Sequence, residues 1–206
     1  MKLQLKYIQM NADLYEQFLS LKDLGKKAEA KAALDLFIAS FETLEDKRVW
    51  VYSFLEAGEY RNRIRHEIYE NLVYPVLLDG YLKRDATSVA WLARTASNLY
   101  AIKSPHPLLK HKTDFALFKE AYGLEPNERI GADLLNTLIN GFSFSQHEWP
   151  AGILDGINGA NIEQCEDILQ EVKFARNLDH QRKYEGYLSE FEAKVHEYIK
   201  RLRERV

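Results

Sequence analysis

The chain has little of what marks exported, membrane-embedded or strongly charged proteins. Its 206 residues hold one cysteine, Cys165, which excludes a disulfide within the chain. Flanked by Ile162, Ile168 and Leu169, it reads as a small buried apolar residue in a reducing compartment. No stretch approaches the roughly 20 apolar residues of a membrane span. Met1 to Met10 carries Lys2 and Lys6 without the apolar run of a signal peptide. A cytoplasmic location is therefore expected. Charge of one sign is missing as well: 28 basic and 31 acidic residues leave a net −3, too weak a field to gather phosphate backbone or anionic lipid. Neither a membrane nor a nucleic acid is the expected partner.

The signatures of metal and cofactor sites are also lacking. There is no HExxH pattern and no cysteine pair. His106 and His111 stand five apart around prolines, which does not place them on one helix face. Gly156-Ile157-Asn158-Gly159 has neither a P-loop lysine nor the strand context of a dinucleotide fold, and Ser143 and Ser145 lack a nucleophile elbow. No metal or cofactor is expected.

What is present is apolar and aromatic: 46% of residues are hydrophobic, with 12 Tyr, 10 Phe and 3 Trp, enough for a sizeable core. One all-α domain over residues 1–206 is expected, because helical periodicity recurs along the chain. Tyr184, Leu188, Phe191, Val195, Tyr198 and Leu202 form one stripe on a long C-terminal helix. Ile162, Cys165, Ile168, Leu169, Val172 and Ala175 repeat the pattern just before it, which predicts a C-terminal antiparallel hairpin.

Upstream, Val89, Leu92, Ala93, Ala96, Leu99 and Tyr100 predict a helix stopped at Ser104-Pro105-His106-Pro107. Phe115, Phe118, Ala121 and Tyr122 predict another, with Gly123 as a left-handed stop and Pro126 suited to the start of the next. A helix is also expected over Val49 to Ala57, although Val49-Trp50-Val51-Tyr52 is equally good strand sequence. Leu3, Leu5 and Tyr7 read as an extended or helical lead-in. Ser143 to Ala160, with Pro150 and three glycines, reads as a long structural or functional loop.

Leu21-Lys22-Asp23-Leu24-Gly25 and Phe54-Leu55-Glu56-Ala57-Gly58 each close a helix, and their glycines are 33 residues apart. Phe118-Lys119-Glu120-Ala121-Tyr122-Gly123-Leu124-Glu125-Pro126-Asn127 has the small residue and the proline turn of a repeat's second helix. These segments resemble tetratricopeptide repeats, whose period is about 34 residues. The resemblance covers one clear half-repeat and two weaker ones. It implies an irregular helical-hairpin stack or bundle whose groove takes a protein or peptide.

Two chemistries compete for the remaining motifs. Arg61-Asn62-Arg63-Ile64-Arg65-His66 has the Arg-Asn-x-x-x-His form and resembles ribonucleases of the HEPN class. That resemblance implies proton transfer by His66 and transition-state stabilisation by Arg61, with Asn62 completing the motif at a dimer interface. The competing reading is a solvated basic turn paired with Glu56, Glu59, Glu67 or Glu70. Aromatic residues at irregular positions, Tyr60, Phe144 and Trp149, together with His147, instead suit partner anchoring, where Trp, Tyr and Arg carry binding energy. Trp149 and His147 also have a structural reading, as a loop anchor and a local hydrogen-bonding group. The expected function is a noncatalytic protein-binding module, by analogy an immunity-type protein that occludes a cognate toxin.

Overall fold

The computed structural model describes residues 2–58, 64–153 and 160–204, with side chains from residue 12 onward. Among them every regular element is helical, and no helix is long and apolar enough to cross a membrane. The chain packs as two compact units, Met1–Thr113 and Asp114–Val206.

The first unit opens with α1 (Lys2–Asp23), α2 (Lys27–Ala39) and α3 (Leu44–Ala57). Leu3, Leu5 and Tyr7 belong to α1, so the lead-in is helical. Gly25 ends α1 at φ 71°. There the Lys26 amide donates to the Leu21 carbonyl at 3.0 Å and the Gly25 amide to Lys22 at 3.0 Å, the paired closure that a left-handed residue permits. Gly58 closes α3 in the same left-handed conformation. α3 begins before the expected Val49, because the Thr43 hydroxyl accepts the Asp46 amide at 3.1 Å while the Asp46 carboxylate accepts the Thr43 amide at 3.0 Å. This reciprocal cap draws Val49 to Tyr52 into a helix despite their strand propensity. Tyr15, Phe37, Trp50 and Phe54 then pack the three helices together, with Trp50 stacked on Phe54 at 4.7 Å.

α4 (His66–Ile68), a π-helical turn over Tyr69–Val73 and α5 (Tyr74–Leu82) follow one another without a break. Pro75 accounts for the wider turn. It has no amide to give the Asn71 carbonyl, and its ring would crowd that carbonyl in a regular α-helix. The Tyr74 amide reaches Tyr69 instead, and Lys47 of α3 donates its Nζ to the Asn71 carbonyl at 3.1 Å. Arg48 of α3 adds a 2.7 Å bond to Asp79 of α5. The Lys83 ammonium, followed by Arg48, holds the Asp79 carboxyl below the usual range.

α6 (Ala86–Arg94) is capped by Asp85, which accepts the Ser88 amide at 2.8 Å. The expected stripe from Val89 to Tyr100 is broken at Thr95, before α7 (Ala96–Leu99). The Thr95 hydroxyl donates back to the Trp91 carbonyl at 2.7 Å and meets the Tyr69 hydroxyl at 3.1 Å, a local bond that competes with helix propagation. α5 and α6 approach so closely at Gly80 that a Cβ there would lie 1.9 Å from Ser88 Oγ. Ser88 is itself buried and meets the Tyr52 hydroxyl at 2.6 Å.

The second unit comprises α8 (Asp114–Leu124), α9 (Glu128–Ser145), α10 (Ile162–Leu178) and α11 (Glu185–Glu204). Gly123 is not a left-handed stop: α8 runs through it. The break comes from Pro126, which disfavours helical backbone at Glu125, and Asn127 then caps α9 by accepting the Ile130 amide at 3.0 Å.

α10 and α11 form the expected antiparallel hairpin. Arg176 near the end of α10 binds Glu185 at 3.2 Å and Glu192 at 2.7 Å near the start of α11. The Arg176 hydrogen bond holds the Glu192 carboxyl below its ordinary range. Leu134, Leu138, Cys165, Val172, Leu188 and Val195 fill the core between these helices. In the hairpin turn the buried Asp179 carboxylate accepts the Lys183 and Tyr184 amides at 2.9 and 2.6 Å.

Two substitutions test these packings. Gly80→Ala is expected to destabilise the chain by about 3 kcal/mol in urea unfolding, and Ser88→Gly in the same chain to recover part of that loss by clearing the collision. Asp179→Ala strips both turn amides of their acceptor and should cost about 2–3 kcal/mol, against a smaller loss for Asp179→Asn, which retains one acceptor oxygen.

Candidate functional site

α9 runs to Ser145, into the segment expected to be loop, because Phe142 is buried and stacks on Phe191 of α11 at 4.9 Å. Long side chains bridge the ends of α9 and α11: the Tyr184 hydroxyl, just before α11, donates to Asn136 Oδ1 at 3.3 Å, and Lys194 of α11 donates to Gln146 Oε1, just past α9, at 3.0 Å. Beyond Ser145 the chain winds through successive turns, with the Trp149 amide donating to Gln146 at 3.0 Å and the Ala151 amide to Glu148 at 2.8 Å.

This segment is fastened along α11. Gln146 Nε2 donates to the Tyr187 hydroxyl at 3.0 Å. Arg201 Nη1 donates to the Pro150 carbonyl at 2.6 Å, and its guanidinium lies over the Trp149 ring at 4.6 Å and the Tyr198 ring at 5.6 Å. At Gly152 the backbone nears the Tyr198 hydroxyl, which a Cβ would meet at 3.5 Å. Ile153 is fully buried, and its carbonyl accepts the Ala160 amide at 2.7 Å. The result is a ledge held by stacking, hydrogen bonds and one buried apolar side chain.

The residues that the sequence singles out take different places on it. Phe144 is 72% exposed. The His147 ring lies 4.9 Å from the Phe144 ring, with Nδ1 2.5 Å from the Phe144 carbonyl and Nε2 3.3 Å from Glu148. Trp149 is half-buried beneath Arg201. The ledge therefore separates an anchoring ring, Trp149, from a presented one, Phe144. The sequence reading missed Arg201, Gln146 and Lys194: on one helix Arg201 and Lys194 are ordinary surface cations, and nothing local couples them to the turn.

Tyr60, Arg61 and Asn62 lie outside the described residues. His66 follows a backbone clamp in which the Ile64 amide donates to Asn98 Oδ1 at 3.3 Å and Asn98 Nδ2 to the Ile64 carbonyl at 2.6 Å. His66 Nε2 lies 3.1 Å from Glu70, and Arg65 bonds Glu67 at 3.0 Å. His106 accepts the Leu108 amide and so caps a short 3-10 turn at Pro107–Leu109. Ser145 donates to the Phe142 carbonyl at 3.1 Å. Burial, with a smaller effect of the Glu166 charge, pushes the Cys165 thiol up to about 11, which leaves it un-ionised and unreactive at neutral pH. Among the described residues, no three His, Cys, Asp or Glu side chains gather as a metal ion would need.

At the opposite end of the hairpin, a groove of about 530 Å³ runs past Tyr122, Gly131, Leu135, Leu178 and Tyr184. Gly131 keeps it open, because a Cβ there would press on the Tyr122 ring at 3.2 Å. Ledge and groove together suit contact with another molecule's side chains, with aromatic surface on a fixed backbone. The chain matches no family model, no curated protein and no solved structure.

Arg201→Ala is expected to loosen the ledge, costing about 1–2 kcal/mol for the lost stacking and hydrogen bond and speeding amide hydrogen exchange over residues 146–153. Arg201→Lys should restore little of the protection, because an ammonium lacks the planar face that stacks on Trp149.

Proposed function

We propose that this chain is a noncatalytic protein-binding helical module that uses the ledge between α9 and α11 as a docking surface. The observation that carries this reading is Phe144, a large apolar ring 72% exposed in the last turn of α9, beside a segment fastened by Arg201, Gln146 and Ile153. A free-standing ring costs the monomer contact with water. Fixing it in advance lowers the ordering cost on association, and aromatic anchors of this kind carry much of the binding energy at interfaces. The groove past Tyr122 and Tyr184 supplies a second concave surface in the same unit.

The tetratricopeptide-like character belongs to the same proposal, supported by the two left-handed glycine stops at Gly25 and Gly58. Within the binding class, an immunity-type role follows from steric cover: a rigid helical surface seated on a toxin blocks its active site without chemistry of its own. Its support is analogy with such proteins.

Affinity capture from native lysate, followed by titration of the recovered partner with purified variants, tests the reading. Phe144→Ala should change unfolding stability by no more than about 0.5 kcal/mol while weakening the partner complex by about 2 kcal/mol, roughly thirtyfold in Kd. Undiminished affinity in Phe144→Ala would remove the ledge from the interface.

A further inference from the structure

We propose that the groove past Tyr122 and Tyr184 holds an extended peptide segment of the partner, gripped through its backbone carbonyls. One wall of the groove follows α9 from its cap Asn127 to Asn136, and the other is the α10–α11 turn from Leu178 to Tyr184. The floor between them is apolar. Leu135 and Leu178 are nearly buried there, and the Tyr122 ring lies against Gly131, where a Cβ would meet it at 3.2 Å.

Bonds already made within the protein set what the walls can offer a ligand. The Asn127 carboxamide oxygen accepts the Ile130 amide at 3.0 Å, and the Asn136 oxygen accepts the Tyr184 hydroxyl at 3.3 Å. Each carboxamide is thereby held by its oxygen, and among the described residues neither Nδ2 meets an acceptor. A matching ligand supplies acceptors. Charge narrows its identity further. The buried Asp179 has its two oxygens taken by the Lys183 and Tyr184 amides, while Glu128 on α9 and Lys183 on the turn put one exposed charge of each sign on the two walls. Neither an anion nor a cation is selected. What complements donors of fixed orientation, balanced charge and an apolar floor is a neutral chain of carbonyls with an apolar side chain, which an extended peptide provides. The spacing sets its length. Asn127 and Asn136 are nine residues apart, about 13 Å along the helix axis at roughly 1.5 Å per residue. An extended chain covers that distance in about four residues and turns alternate carbonyls to the same side. Its first and fifth carbonyls therefore reach the two carboxamides, with a side chain between them over Leu135 and Leu178.

This inference rests on the protein-binding reading and names what one part of the partner presents. The probe is a phage-displayed library of random-sequence peptides, selected against the full-length chain, with the enriched peptides then synthesised and titrated. They are expected to share an apolar residue and little else, because a grip on the backbone reads no other side chain. Their binding should shift amide resonances of residues 122–136 and 178–184 and leave the rest of the chain in place. Asn136→Ala should weaken them about tenfold. Ala132→Arg, at an exposed position on the groove wall, should abolish binding with the unfolding midpoint unchanged. An absence of enriched peptides, shifts centred elsewhere, or undiminished binding by either variant overturns the assignment. Phe144→Ala should keep full peptide affinity, so a failure of the groove and a failure of the ledge are read apart.

Discussion

Everything on the ledge depends on the contact that Arg201 makes with the chain after α9. A glycine- and proline-containing segment has only isolated turn bonds of its own to hold it, and its ordering costs roughly 1–2 kcal/mol per residue in backbone entropy. One guanidinium offsets that cost in two ways, by its face on the Trp149 and Tyr198 rings and by its edge at the Pro150 carbonyl. Burial of Ile153 then closes the far end.

The same device recurs in the other unit, where polar side chains reach across helices to groups that a regular element would leave unmet. Lys47 supplies the donor that Pro75 cannot give to the Asn71 carbonyl, Asn98 clamps both polar groups of Ile64, and Arg48 ties α3 to α5 through Asp79. Each meets the requirement that backbone polar groups find partners. The apolar core sets which helices pack. These reaching side chains set where the irregular segments lie.

Much of the helical architecture was legible because it follows local rules. The stripes of α10 and α11, the glycine stops at Gly25 and Gly58, and the burial of Cys165 follow from 3.6-residue periodicity and left-handed backbone. The early start of α3 was also written locally, in Thr43 and Asp46, a capping pair that outweighs the strand propensity of Val49 to Tyr52. Gly123 misled for a related reason: glycine permits a left-handed stop but does not require one, and Pro126 two residues beyond α8 dictates the end.

By itself, then, the amino-acid sequence determined the helices, their apolar faces and the terminal hairpin, since each depends on residues within a few turns of one another. It did not decide which aromatic residues would be core and which surface. Trp149 and Phe144 sit five positions apart, Phe144 in the last turn of α9 and Trp149 in the irregular stretch beyond it, and the packing of α11 places Arg201 over Trp149 while Phe144 stays exposed. That difference rests on a contact between residues 149 and 201, which no local pattern encodes because its partners come together only when the helices pack.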